Sequence, residues 1–225
     1  MKPLSQRLET IATLVPHGAR VCDIGCDHGY LAIYLRLNNI AKTVIAADLN
    51  ELPLKRAEAN IKKLNADNID LRLCDGLSGI KKDEVDTVII AGMGGNVISG
   101  IIERSDFSKS EDLTFILQPT TSAEALREFL CKNGFEIQSE TVVYENNKLY
   151  SVMVVKFANK IKTVENGFYY IGKVTPNTED GIKYIKKQQK RLFEAANALE
   201  SIPEKQNEFA EFKSAYDYIT KILTE

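Results

Sequence analysis

Apolar residues recur along this chain with two alternating periods, and the alternation predicts its elements. Leu4, Leu8, Ile11, Ala12 and Val15 share one side of a 3.6-residue repeat and predict a helix, which Pro16, His17 and Gly18 end. Short apolar β-type runs then alternate with helical spacings. Strands are predicted over 20–24, 43–48, 69–74, 85–91 and 113–118. Helices are predicted over 30–39, 52–65, 96–104 and 122–133, with a short one near 76–80. Such strands are apolar on both faces, so the helices between them act as crossovers and cover a parallel sheet on two sides. Two longer runs over 135–157 surround Glu145, Asn146, Asn147 and Lys148 and predict a hairpin, so the sheet ends with an antiparallel strand. Past residue 160 the composition shifts to a connector with Gly167, Gly172 and Pro176. Ile182, Ile185, Gln189, Leu192, Ala196 and Leu199 then alternate by three and four, as do Phe209, Phe212, Tyr216, Ile219 and Leu223. With Pro203 between them they predict an antiparallel helical hairpin with a coiled-coil seam, which can also pack on the sheet. The division expected is an α/β domain over 1–159, and a connector with helical hairpin over 160–225.

Composition narrows the class but not the partner. At 225 residues the chain can bury one sizeable core and carry an appendage. Hydrophobic residues at 44% and charged residues at 27% suit a soluble globular protein. The net charge of −2 points to no partner. No apolar run reaches the ~18 residues of a membrane span, and the polar start does not read as a secretory signal. Cys22, Cys26, Cys74 and Cys131 form no CxxC pair, so they are expected to be reduced, in a cytoplasmic protein without a metal site.

The chemistry gathers at the strand ends, where open parallel sheets bind ligands. The first strand runs into "DIGCDHG". A phosphate loop would want G-x-G-x-x-G and an open helix N-terminus. Here Asp23 and Asp27 would repel a phosphate, and they suit an amino group and a sulfonium cation. S-adenosylmethionine (SAM) has both and no phosphate. Asp48 lies about 20 residues beyond Gly25, where a carboxylate binds a ribose diol. Asp75, after the third strand, can accept from an adenine amino group. NAD shares the ribose but is disfavoured by Asp27 and the terminal hairpin. The candidate cofactor set is Asp23, Gly25, Cys26, His28 and Gly29 on the first turn, then Asp48 and Leu49 on the second. Asp75 and Gly76 on the third and Ala91, Gly92 and Met93 on the fourth complete it. For His28, helix capping or packing is as good a reading as ligand contact.

At the substrate end stands "AGMGGN", with Gly92, Gly94 and Gly95 where amino-methylating enzymes usually carry prolines. A glycine turn brings backbone carbonyls close to a ligand, and Asn96 can cap the next helix. Gln118 and Pro119 border the same pocket, where Gln118 can meet a base edge or the backbone. The stretches "RLETIATLVPHGARVCDIGCDHGYLAIYL", "CDGL", "VIIAGMGG" and "ILQP" resemble the bacterial tRNA (adenine(22)-N1)-methyltransferase family, known as TrmK. The resemblance implies a Rossmann-like class I SAM-dependent methyltransferase with a seven-stranded mixed sheet and a C-terminal coiled-coil extension. It implies methyl transfer to N1 of an adenine in the tRNA D-loop region, with S-adenosylhomocysteine as product. Asp27 is then the leading candidate for stabilising charge or contacting the adenine amino group; the competing reading gives it only the SAM amino group. His28 and the turn from Gly92 through Gly94 to Gly95 would frame the base.

RNA needs a cationic surface. Lys183, Lys186, Lys187, Lys190 and Arg191 crowd the first helix of the hairpin with no acid among them. That face, with Lys173, Lys2 and Arg7, is expected to hold tRNA backbone. The alternative is an ordinary solvated face, whose charges pair with Glu204, Glu208 and Glu211 of the second helix. A monomer without an obligate protein partner is expected. The rival functions are a SAM enzyme for a small molecule or protein, which would want a closed lid, and a non-catalytic RNA-binding module on a SAM-type fold.

Overall fold

A computed structural model describes residues 4–224. Ser5 caps α1 (Gln6–Thr13) by accepting from Leu8 N, and the helix stops before Pro16, as its spacing predicts. The chain then alternates: β1 (Ala19–Ile24), α2 (Tyr30–Leu37), β2 (Ala41–Asp48), α3 (Glu51–Leu64), β3 (Ile69–Leu73), β4 (Thr87–Gly94), α4 (Gly95–Glu103), β5 (Thr114–Thr121) and α5 (Ala123–Lys132). The short helix expected near 76–80 is absent: Gly76 takes φ +55° and the segment is a turn, followed by a 3-10 turn over Lys82–Glu84.

The sheet has seven strands in the order β3-β2-β1-β4-β5-β7-β6. The order reverses between β1 and β4, so the crevice for a ligand opens at their carboxyl ends. β6 (Phe135–Glu145) and β7 (Lys148–Phe157) form the hairpin, and Asn146 and Asn147 both have positive φ, as a two-residue I′ turn requires. β7 runs antiparallel to β5 and lies inside the sheet; the edge belongs to β6.

Successive side chains of the central strands point to opposite faces, and each face has its own core. Val88, Ile90, Phe115 and Leu117 pack with Ile98 and Ile102 of α4 and Leu126 and Leu130 of α5. Ile89 and Ile116, one residue out of phase, pack with Ile11 of α1 and with Leu31 and Leu35 of α2.

Past the sheet come α6 (Asn166–Ile171), a short helix within the expected connector, α7 (Glu179–Leu199) and α8 (Gln206–Thr224). Ile185 and Leu192 of α7 meet Ala215 and Ile219 of α8 in a third core. Val142 of β6 and Leu149 of β7 join it, so the hairpin does not extend freely but lies against the sheet. Arg127 of α5, with 0% side-chain exposure, ties these parts together. Its guanidinium meets the buried Glu140 carboxylate of β6 and donates to the Tyr169 and Tyr170 carbonyls of α6 and to the Tyr184 hydroxyl of α7.

Candidate active site

β1 ends in a turn whose shape the glycines permit: Gly25 and Gly29 have φ of +75° and +70°. Asp27 between them also has positive φ, +48°, which aspartate tolerates better than most residues. The Gly25 and Cys26 amides both donate to Ala47 O of β2, at 2.8 and 3.1 Å. These two amides are turned into the sheet, so the loop forms no phosphate cradle, in keeping with its carboxylates. A Cβ on Gly25 would collide with Met93 Cε, so β1 and β4 approach closely at the crevice.

The carboxylates differ in setting. Asp23 is 4% exposed, and burial, with Asp48 nearby, pushes its carboxyl up to about 7. Burial also pushes the Cys26 thiol well up, which leaves it a poor nucleophile. The Asp27 side chain is 67% exposed and lies 3.6 Å from His28 Nε2. The His28 ring stacks on Tyr30 with centroids 5.4 Å apart, and its carbonyl accepts from Asn60 Nδ2.

Two cavities meet at Gly25. The first, about 390 Å³, is lined by Asp48, Leu49, Asp75, Gly76, Met93 and Asn96. Leu49 and Val97 bring large exposed apolar surface to it. Two polar neighbours were missed in the sequence: Asn50, whose N–H donates to Asp48 Oδ1, and Arg104, 3.3 Å from Asp75 Oδ1. Both partners of the Arg104–Asp75 pair are over half exposed, so a ligand can displace it at a cost of about 1 kcal/mol or less. Arg104 stands about two turns past the strand-four motif, as the C-cap of α4, and only its place at the end of a helix facing Asp75 hints at the pairing. The second cavity, about 270 Å³, is lined by Asp23, Asp27, His28, Ala91 and Gly92, with Arg7 and Tyr30.

The end of β4 differs from its sequence reading. The strand does not stop at Ala91 but continues to Gly94 through a bulge at Gly92, where φ is +82°. The cap of α4 is Gly94, and Asn96 sits inside the helix instead of capping it. Met93 O accepts from Thr120 Oγ1 at 3.1 Å. Gly95 is buried against the Ser122 carbonyl, so it serves the packing of α4 on α5. Gln118 is 0% exposed and does not present to a base edge. Its Oε1 accepts from Gly92 N and Arg7 Nη1, and its Nε2 donates to Pro119 O. Arg7 is likewise not free for tRNA backbone. Its amide donates to Glu145 Oε1, its Nε lies 3.6 Å from Glu145 Oε2, and its guanidinium sits 5.7 Å from the Tyr150 ring centroid. α1 thus straps across the crevice and holds the Gly92 bulge through Gln118.

The basic stripe of α7 pairs close to home, not with α8. Lys183 pairs with Glu179 on the same helix, and Lys190 stands 3.8 Å from Glu194. Arg191 reaches Glu124 of α5 at 3.0 Å and lies over the Tyr170 ring. Lys186 and Lys187 are exposed and have no side-chain partner among the described residues. Glu208 of α8 is taken by Lys205. Lys173 donates to Gln138 O of β6, and Lys2 lies outside the described residues.

Known proteins match this arrangement. The family profile described as a methyltransferase domain matches residues 4–153. The tRNA (adenine(22)-N(1))-methyltransferase of Bacillus subtilis is 38% identical over 159 residues, which span 70% of this chain and 66% of that protein. Among solved structures, the B. subtilis tRNA methyltransferase TrmK superposes with a TM-score of 0.87 at 27% identity, covering 99% of each chain. TrmK of M. capricolum, solved with the cofactor product S-adenosyl-homocysteine, has a TM-score of 0.78 at 27% identity over 97% of this chain and 96% of that one.

Proposed function

The chain belongs to the tRNA (adenine(22)-N1)-methyltransferase family, and on that premise we propose that it transfers the methyl group of SAM to N1 of adenine 22 in tRNA. The observation that carries the reading is the joint at Gly25, which lines both cavities. A ligand with its adenosine against Asp48 and Asp75 presents its other end to Asp23, Asp27 and Gly92.

The residues fit SAM. Asp48 offers a carboxylate to the ribose hydroxyls, Asp75 an acceptor to the adenine amino group, and Leu49 and Val97 apolar surface to the ring. The loop amides that a dinucleotide pyrophosphate would need are held by Ala47. When bound, SAM supplies an electrophilic methyl on a sulfonium. Buried Asp23 is suited to its ammonium group, and exposed Asp27 to the target base. Adenine N1 carries an in-plane lone pair, so the protein's task is to align it with the methyl. N1 lies on the Watson–Crick edge, so the adenine must be unpaired or flipped to enter. The methylated ring gains positive charge, which the Asp27 carboxylate stabilises beside His28. The Gly92 bulge, held by Gln118 and Arg7, forms the far wall. The hairpin face of α7 adds the cations that tRNA requires. On this reading the enzyme meets tRNA in the cytoplasm and works as a monomer.

The direct test is labelled SAM with unmodified tRNA, followed by nucleoside analysis; the expected product is N1-methyladenosine at position 22. Its absence, or its appearance only elsewhere in the tRNA, rejects the reading. Asp27→Ala should keep SAM affinity and lose roughly a hundredfold in kcat. Loss of SAM binding in this variant would assign Asp27 to the cofactor instead.

A further inference from the structure

A third cavity, about 360 Å³, lies between the β5–α5 junction and α7. Tyr150, Tyr184, Lys187, Gln188, Lys190 and Arg191 line it, within the size range that encloses a small molecule. Its position relates it to the catalytic cavity. Pro119 lines it, and the preceding residue, Gln118, holds the Gly92 bulge. Tyr150 lines it too, and Arg7, which lines the catalytic cavity, lies over the Tyr150 ring. The two spaces are therefore neighbours across an Arg7–Tyr150 wall.

The lining has the chemistry of a nucleotide site. Three cations face two acids, Glu124 and Glu194. Arg191 is engaged by Glu124 and Lys190 lies near Glu194, which leaves Lys187 without a side-chain partner among the described residues. Half-buried Tyr150 is the aromatic edge of the cleft, while Tyr184 is almost fully buried and forms its floor. Gln188 Oε1 is the one buried side-chain polar atom without a hydrogen-bond partner among the described residues. A buried acceptor with no donor is costly, and natural structures satisfy nearly all of them with protein, water or ligand donors.

We propose that this cleft holds the nucleotide adjacent to the target adenine, with its phosphate at Lys187 and a base or ribose group at the Gln188 side-chain amide, which turns to meet it. An adenine flipped into the catalytic cavity needs its neighbour anchored, and this cleft lies one wall away. The proposal rests on RNA being the substrate.

The test is steady-state methylation with an unmodified tRNA transcript as the varied substrate, together with tRNA and SAM affinities. Lys187→Ala and Gln188→Leu should each raise KM for tRNA, and weaken tRNA binding, by about tenfold, the order of one lost hydrogen bond or charge contact. SAM affinity should stay unchanged, and Gln188→Leu should melt no lower than the wild type. Lys213→Ala, a charge loss on α8, serves as control. Unchanged KM in both cleft variants, or a Lys213→Ala effect equal to that of Lys187→Ala, overturns the proposal. If the wild type forms no N1-methyladenosine, the function reading fails separately, and tRNA affinity alone decides the cleft: equal affinities reject it and a tenfold loss supports it.

Discussion

Asp23 closes β1 with a buried carboxyl that burial and Asp48 push up from 3.8 to about 7. The folded free protein therefore holds this proton up to about pH 7, while the unfolded chain releases it near 3.8. Between those values the folded state binds more protons, so Asp23 lowers stability as pH rises through the window. A bound ammonium group reverses the preference, because it requires the carboxylate. SAM affinity should then fall about tenfold per pH unit below 7, and Asp23→Asn should bind SAM weakly with little dependence on pH in that range. Calorimetric titrations from pH 5.5 to 8 measure both. A flat wild-type profile would remove Asp23 from the cofactor site. Gly25 shows the same coupling of local shape to site, because its missing Cβ is what lets Met93 close against the turn.

Between elements, the buried Arg127–Glu140 pair is the main polar tie. Through it α5 and β6 reach the carbonyls of α6 and the hydroxyl of Tyr184 on α7. Removing one partner leaves a buried charge uncompensated. Arg127→Ala should therefore cost about 3–5 kcal/mol of stability, whereas Arg127→Leu with Glu140→Leu should recover most of the loss. Denaturant melts of the three proteins give the comparison. A double variant as unstable as Arg127→Ala would show that the pair's geometry, not charge compensation, matters. At the opposite side of the sheet α1 acts as a strap, since Arg7 joins Gln118, Glu145 and Tyr150 from three different strands.

Across the whole molecule, a chain of net charge −2 must meet polyanionic RNA with local charge. α7 presents Lys187, Lys190 and Arg191 beside the β5–α5 junction and exposes Lys186 on the same helix, and the active-site crevice opens at the neighbouring strand ends. Changing all four to Glu should abolish measurable tRNA binding near physiological salt. Changing them to Ala should cut the slope of log affinity against log salt by about 3, while SAM affinity holds. An unchanged slope would make the stripe an ordinary solvated face.

Local pattern determined the parallel sheet, the two-faced core, the Asn146–Asn147 hairpin and the two long C-terminal helices, because side-chain period and turn chemistry are properties of neighbouring residues. It also placed an acid after each of the first three strands, since those positions follow from strand boundaries alone. The tertiary structure decided what depends on distant partners. It buried Gln118 under Arg7 and Gly92, and replaced the capping role of Asn96 with a bulge that carries β4 on to Gly94. It folded the helical hairpin back on β6 and β7, and it paired Arg191 with α5 rather than α8. Each of these joins residues far apart in the chain, and no short stretch of sequence encodes which surface its side chains will meet.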